Sequence, residues 1–135
     1  MRDCGLPLTW MTPSAISKSA GLPGQNPAQK LKEAQARGLQ LIVIDPRVSD
    51  CARKAAIHLQ CRPGEDHAIL AGMIHIIIAE DLYDKDFVAD NVSGFEELSA
   101  AVAGFTPEYV ADRAGISVEQ LVEAARVFAR ARIRH

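Results

Sequence analysis

No apolar run in this chain is long enough to span a bilayer. The longest, Met73 to Ala79, is broken by His75, whereas a spanning helix needs about 20 such residues. The N-terminus offers Arg2 and Asp3 but no continuous apolar core leading to a small-residue cleavage site, which argues against a signal peptide. Basic residues are not in excess: 15 Lys and Arg against 17 Asp and Glu leave a net charge of -2. That balance gives no footing for a nucleic-acid partner, and no acidic block marks a solvated tail. Cysteine is sparse, and Cys4, Cys51 and Cys61 show no CxxC spacing and are odd in number. Reduced thiols in a cytoplasmic setting fit that usage better than a disulfide framework. No histidine pair at i, i+4 and no cysteine–histidine cluster supports a metal site. GxSxG is absent and GLPGQN is not GxGxxG, so neither a serine nucleophile nor a nicotinamide fingerprint is offered. With 135 residues there is room for one domain at most, and no internal repeat divides it.

What is present is a succession of short elements. Met1 to Pro23 contains three prolines, two glycines and several Ser and Thr without sustained periodicity, and reads as irregular. Gly24-Gln25-Asn26-Pro27 is turn chemistry, with Asn26 a helix cap and Pro27 in the first turn of a helix that continues through Ala28 to Gly38. Leu39 to Ile44 reads as a strand covered on both faces. Ser49 to Ala56 reads as a short helix and Ile57 to Cys61 as a second strand, paired in parallel with the first by a right-handed crossover. Asp66 is expected to cap a long helix reaching about Asp81, with Ile69, Met73, Ile76 and Ile77 on one face. Asp84, Ser93 and Thr106 then cap three further helices, Thr106 being followed by Pro107 at the first position. Ser117 and Gln120 match the capping box of a last helix that runs from Val118 to about Arg132 and buries Leu121, Ala124, Ala125 and Phe128.

Two turns put carboxylates where a parallel strand hands over to a helix: Asp45-Pro46-Arg47 and Gly64-Glu65-Asp66. In open α/β sheets ligands bind at that edge. A carboxylate there can accept from ribose hydroxyls or from the paired N–H groups of a guanine edge, and the amides at Asn26-Pro27-Ala28 favour a phosphate. The same residues also read as ordinary turn and cap residues, Arg47 as a solvated charge, and His58 and His75 as satisfied core or boundary residues. The visible chemistry is binding; no catalytic residue and no metal ligand is assigned.

The stretch "GQNPAQK…RGLQLIVIDPRVSDCARKAAIHLQCRPGEDHAILAGMIHIIIAEDLYDKDFV" resembles the molybdopterin oxidoreductases of the dimethyl sulfoxide reductase family. The tail "GFEELSAAVAGFTPEYVADRAGISVEQLVEAARVFA" resembles formate dehydrogenase alpha subunits. The resemblance runs from about Gly24 to Ala129. It implies that residues 24–135 are part of an α/β domain that grips a molybdopterin guanine dinucleotide carrying molybdenum or tungsten. By that resemblance Gly24, Gln25, Asn26 and Pro27 sit at the family's GxNP turn, and Asp45, Pro46 and Arg47 at its strand-end DPR near the guanosine. Gly64, Glu65 and Asp66 match its GTD turn, whose Asp accepts from guanine. Glu65 stands in place of the usual Thr. The clustered cysteines of the family's iron–sulfur domain have no counterpart, and Cys4, too close to Gly24, does not match the metal-ligating position.

The expected fold class is α/β: a small Rossmann-like parallel sheet with flanking helices, followed by a helical C-terminal half. The expected role is the cofactor-binding segment of a formate dehydrogenase-like oxidoreductase, inactive alone, whose partners are the remaining parts of a split enzyme. An open sheet edge also implies self-association. The alternatives are a stand-alone nucleotide-binding or interaction module, or a truncated product without a function of its own.

Overall fold

The computed structural model describes residues 27–131. The expectations for residues 1–23 and for Gly24, Gln25 and Asn26 lie outside them. The chain divides into two compact units, the first reaching Gln60 and the second being Cys61–Arg130.

In the first unit, helix α1 (Pro27–Ala36) ends in a Schellman motif: Leu39 N–H donates to the Ala34 carbonyl and Gly38 N–H to that of Gln35, both at 3.0 Å. Gly38 takes φ 100°, which only glycine adopts at no cost. The reversal folds Leu39 and Leu41 back into a small core with Leu31, Val43 and Ala52. Strands β1 (Ile42–Ile44) and β2 (Ile57–Leu59) pair in parallel, with Ile42 opposite Ile57, Val43 opposite His58 and Ile44 opposite Leu59.

The parallel pairing is as expected, but β1 is shorter than Leu39 to Ile44. Its partner begins only at Ile57, so Leu39 and Gln40 have no strand opposite them. The ladder's last reach backwards is the Leu41 carbonyl, which accepts from Ala56 N at 2.8 Å and Ile57 N at 3.3 Å. The helix expected over Ser49 to Ala56 is a single 3₁₀ turn, Ala52–Lys54. Ser49 Oγ accepts from Ala52 N at 3.3 Å ahead of it, and Ala55 is already extended (φ -70°, ψ 144°) to enter β2.

The second unit is helical, as expected: α2 (Asp66–Ala79), α3 (Lys85–Asn91), α4 (Phe95–Val102), α5 (Pro107–Ala114) and α6 (Val118–Arg130). Helix α2 is apolar nearly all round and packs against α4, α5 and α6. Ile69, Met73 and Ile76 are buried and Ile77 is half-buried. Asp84 caps α3 by accepting from Phe87 N at 2.9 Å, and Thr106 caps α5 by accepting from Tyr109 N at 3.3 Å. Ser117 Oγ accepts from Gln120 N at 3.1 Å, one half of the expected capping box.

Three expectations fail. Asp66 is the first helical residue, with Glu65 in the cap position. Gly94, in the left-handed region at φ 77°, stands where Ser93 was expected to cap, because the entry into α4 needs a conformation that serine adopts only at a cost. Phe128 is 43% exposed. Helix α2 has already ended at the level of Arg126, whose guanidinium takes Glu80 in two 2.8 Å bonds, so nothing of α2 remains to cover a side chain beyond it.

Gly72 of α2 lies directly against Val110 of α5. A Cβ there would lie 2.9 Å from Val110 Cγ2 and 3.3 Å from Val110 Cβ and Cγ1. Val110 is fully buried and stiff about χ1. Helix propensity favours alanine by about 1 kcal/mol, but overpacking costs about 1–3 kcal/mol. Gly72→Ala is therefore expected to lose about 1 kcal/mol in urea unfolding, and to lose less when it is made in a Val110→Ala chain, where the clashing methyls are gone. A stabilised Gly72→Ala protein would contradict this packing.

Candidate functional site

The first candidate element is the turn after β1. Asp45 is 3% exposed, the one buried charged residue of the described chain. Its N–H continues the ladder to the Leu59 carbonyl at 3.3 Å. Its Oδ1 accepts from the Arg47 N–H at 2.9 Å, an Asx turn. Arg47 itself is 83% exposed, with Nε 3.9 Å from the same Oδ1. The turn's carbonyls are tied to β2 and the residue that follows it: His58 Nε2 bonds to the Asp45 carbonyl at 2.9 Å, and Gln60 Nε2 donates to the Pro46 carbonyl at 3.2 Å. A carbonyl only accepts, so the His58 proton is on Nε2. Asp45 Oδ2 is left over, buried and without a hydrogen-bond partner among the described residues. Leaving such an atom unmet costs about 1–3 kcal/mol, more when it is charged. It is an acceptor waiting for a donor.

The second element is the turn into α2. Glu65 N–H donates to the Arg62 carbonyl at 3.3 Å, with Pro63 and Gly64 between them and Gly64 at φ 88°. That is a type II turn, which requires a positive φ at its third residue. Helix α5 clamps it from two sides. Arg62 N–H donates to the Ala114 carbonyl at 2.8 Å, and its Nη1 donates to the carbonyls of Asp112 and Arg113 at 3.0 Å each. A cation on the last carbonyls of a helix is favourable. In the other direction Arg113 Nε donates to Glu65 Oε2, and its Nη1 donates to the Tyr109 hydroxyl at 3.0 Å. The Glu65 bond, and after it Tyr109, holds the Arg113 guanidinium charged even more firmly than usual. The Asp66 side chain is exposed at the first helical position, and Glu65 in the cap position before it makes no side-chain cap bond.

The ten residues expected to touch a cofactor are thus distributed unevenly. Asp45, Pro46 and Arg47 form one hydrogen-bonded turn in the first unit. Gly64, Glu65 and Asp66 form another in the second. Pro27 opens α1, while Gly24, Gln25 and Asn26 lie outside the described residues. The structure adds four residues that sequence reading did not assign: His58 and Gln60 behind the first turn, Arg62 and Arg113 behind the second. The polar alternation of His58 and Gln60 in a short strand was the one signal available for the first pair. His75 is satisfied by the Val102 carbonyl at 3.2 Å. Among the described residues no group of three or more His, Cys, Asp or Glu could hold a metal ion, and no helix is long and apolar enough to cross a membrane. An orphaned buried carboxylate oxygen at a strand end suits the hydroxyl of a nucleotide sugar, and the residues present fit such a group.

A family model described as molybdopterin oxidoreductase matches residues 23–131. The chain belongs to the molybdopterin oxidoreductase family. It is 41% identical to formate dehydrogenase H of Escherichia coli (strain K12) over 116 residues, 81% of this chain and 16% of that protein. It is 44% identical to the acetylene hydratase of Syntrophotalea acetylenica over 99 residues, 73% of this chain and 14% of that protein. The solved structure of acetylene hydratase from Pelobacter acetylenicus matches with a TM-score of 0.76 at 42% identity, covering 78% of this chain and 15% of that one. The chain spans less than a fifth of the length of these relatives.

Glu65, which replaces the threonine expected from the resemblance, is engaged by Arg113, so the extra charge is met within the chain. Glu65→Thr is expected to lower the melting temperature slightly, by an amount that shrinks at high salt. Adding Arg113→Ala to it should cost little more. Fully additive losses in that double-mutant cycle would show that the pair does not interact.

Proposed function

We propose that this chain holds the guanosine of a molybdopterin guanine dinucleotide in a formate dehydrogenase-like oxidoreductase. The observation that carries the reading is Asp45 Oδ2, buried and unpartnered at the end of a parallel strand in a member of this family. Asp45 has one oxygen free, which suits a ribose hydroxyl. Asp66 is exposed at the first helical position, and the two oxygens of a carboxylate can take the adjacent N–H donors of guanine, an edge that adenine lacks. Arg47, exposed beside Asp45, supplies charge toward the phosphates. Residues 24–135 act as one partial dinucleotide-binding domain, and the open edges of the small sheet favour association with further polypeptide.

In the complete enzyme the molybdenum or tungsten of the cofactor supplies the redox chemistry that oxidises formate to carbon dioxide. The similarity to formate dehydrogenase H supports formate as substrate, and the similarity to acetylene hydratase makes the substrate the first point to test. The metal ligand and electron path come from the remainder of the enzyme, in a cytoplasmic setting.

Charge-assisted hydrogen bonds contribute about 1.5–3 kcal/mol each where water is excluded. In NMR shift mapping with millimolar nucleotide, guanosine diphosphate should perturb amides near Asp66 more than adenosine diphosphate does. Asp66→Ala should remove most of that preference, whereas Arg47→Ala should weaken both nucleotides alike. Equal responses to the two nucleotides would reduce the turns to turns and favour an interaction module.

The 135-residue chain alone should show no formate oxidation with any dye acceptor after loading with cofactor. Turnover by the purified chain would overturn the reading of it as a binding segment.

A further inference from the structure

We infer that His58 and Gln60 are positioning residues for the nucleotide sugar, holding Asp45 so that Oδ2 remains a single acceptor for a ribose hydroxyl. The inference rests on the nucleotide reading above and adds two residues that lie outside the Asp-Pro-Arg turn. His58 is the middle residue of β2 and Gln60 directly follows its last residue, two positions further on. Their donors reach consecutive carbonyls of the turn, His58 Nε2 to Asp45 O at 2.9 Å and Gln60 Nε2 to Pro46 O at 3.2 Å.

With the Asp45 N–H on Leu59 O and the Arg47 N–H on Asp45 Oδ1, the backbone on both sides of the Asp45 side chain is fixed. The carboxylate has little freedom to rotate Oδ2 out to water or to exchange it with Oδ1. Without the two side-chain anchors the turn is held by the Asx bond and one ladder bond. Asp45 could then relax toward solvent, and the sugar would lose its preorganised acceptor.

The test compares guanosine diphosphate with its 2′,3′-dideoxy analogue on the full 135-residue chain by NMR titration. The unaltered chain should favour the ribose form by about ten- to a hundredfold, the worth of one hydrogen bond to a charged acceptor. His58→Phe keeps the ring volume and removes the donor. It should bring the ratio close to one, while His58→Gln, whose Nε2 reaches as far, should restore it. Gln60→Met, at an exposed position that tolerates the change, should reduce the ratio independently should His58→Phe fail to fold. A purely structural role would weaken both ligands alike and leave the ratio unchanged. If the unaltered chain shows no ribose preference, the assignment of Asp45 to the sugar falls and this inference with it. If it shows the preference and folded His58→Phe and Gln60→Met keep it, the positioning role alone is overturned.

Discussion

The ladder between β1 and β2 is three residues long, and its register places His58 opposite Val43 and Leu59 opposite Ile44. Everything distinctive about the first unit follows from that register. Leu59 is the residue whose carbonyl receives Asp45, so the chain leaves β1 still attached to β2. His58 and Gln60 flank Leu59 and point away from it, since successive side chains alternate across a strand. A slip of one residue would turn both donors to the opposite face and bring Leu59 out of the core. A two-stranded parallel sheet is a weak object by itself. Here it is backed by the core that Leu31, Leu39 and Leu41 build after the reversal at Gly38.

The second unit solves a different problem with the same economy. Helix α2 is too apolar to present a solvent face, and α4, α5 and α6 cover it. Gly72 and the small residues Ala124 and Ala125 let the neighbouring helices come close. Because α5 is already seated against α2, its C-terminal carbonyls and Arg113 are available to grip the turn that precedes α2. A glutamate in that turn therefore meets a partner rather than adding a bare charge. This also explains why the entry to α2 needs no side-chain cap: Arg62 and Glu65 fix the turn by other bonds.

Much of this was legible in the residues. Asp84 and Thr106 announced their helices because each lies three residues before an amide it can reach, and no tertiary contact competes for them. Gly38 and the parallel pair were legible for similarly local reasons. What escaped reading depends on what lies across from a residue. The strand shortened because β2 starts late, and Phe128 stayed outside because α2 stops early. Ser93 lost the cap to a glycine that could take a left-handed turn. The bonds from His58, Gln60, Arg62 and Arg113 join segments 13 to 51 residues apart, a separation that no local pattern encodes.

The unmet oxygen of Asp45 belongs with the local class, and its origin is in the tripeptide itself. After a strand ends, an aspartate ordinarily accepts from the backbone N–H two residues on. Arg47 supplies that N–H and Oδ1 takes it, while Pro46 between them has none to give. The Asp45 N–H is already committed to Leu59, and the His58 and Gln60 donors are used on carbonyls. Among the described residues no donor remains for Oδ2, which is buried. Asp-Pro-Arg at the end of a buried parallel strand is thus a way of making an acceptor that the surrounding described residues do not satisfy. The cost of leaving it so is one that binding a hydroxyl-bearing ligand would offset.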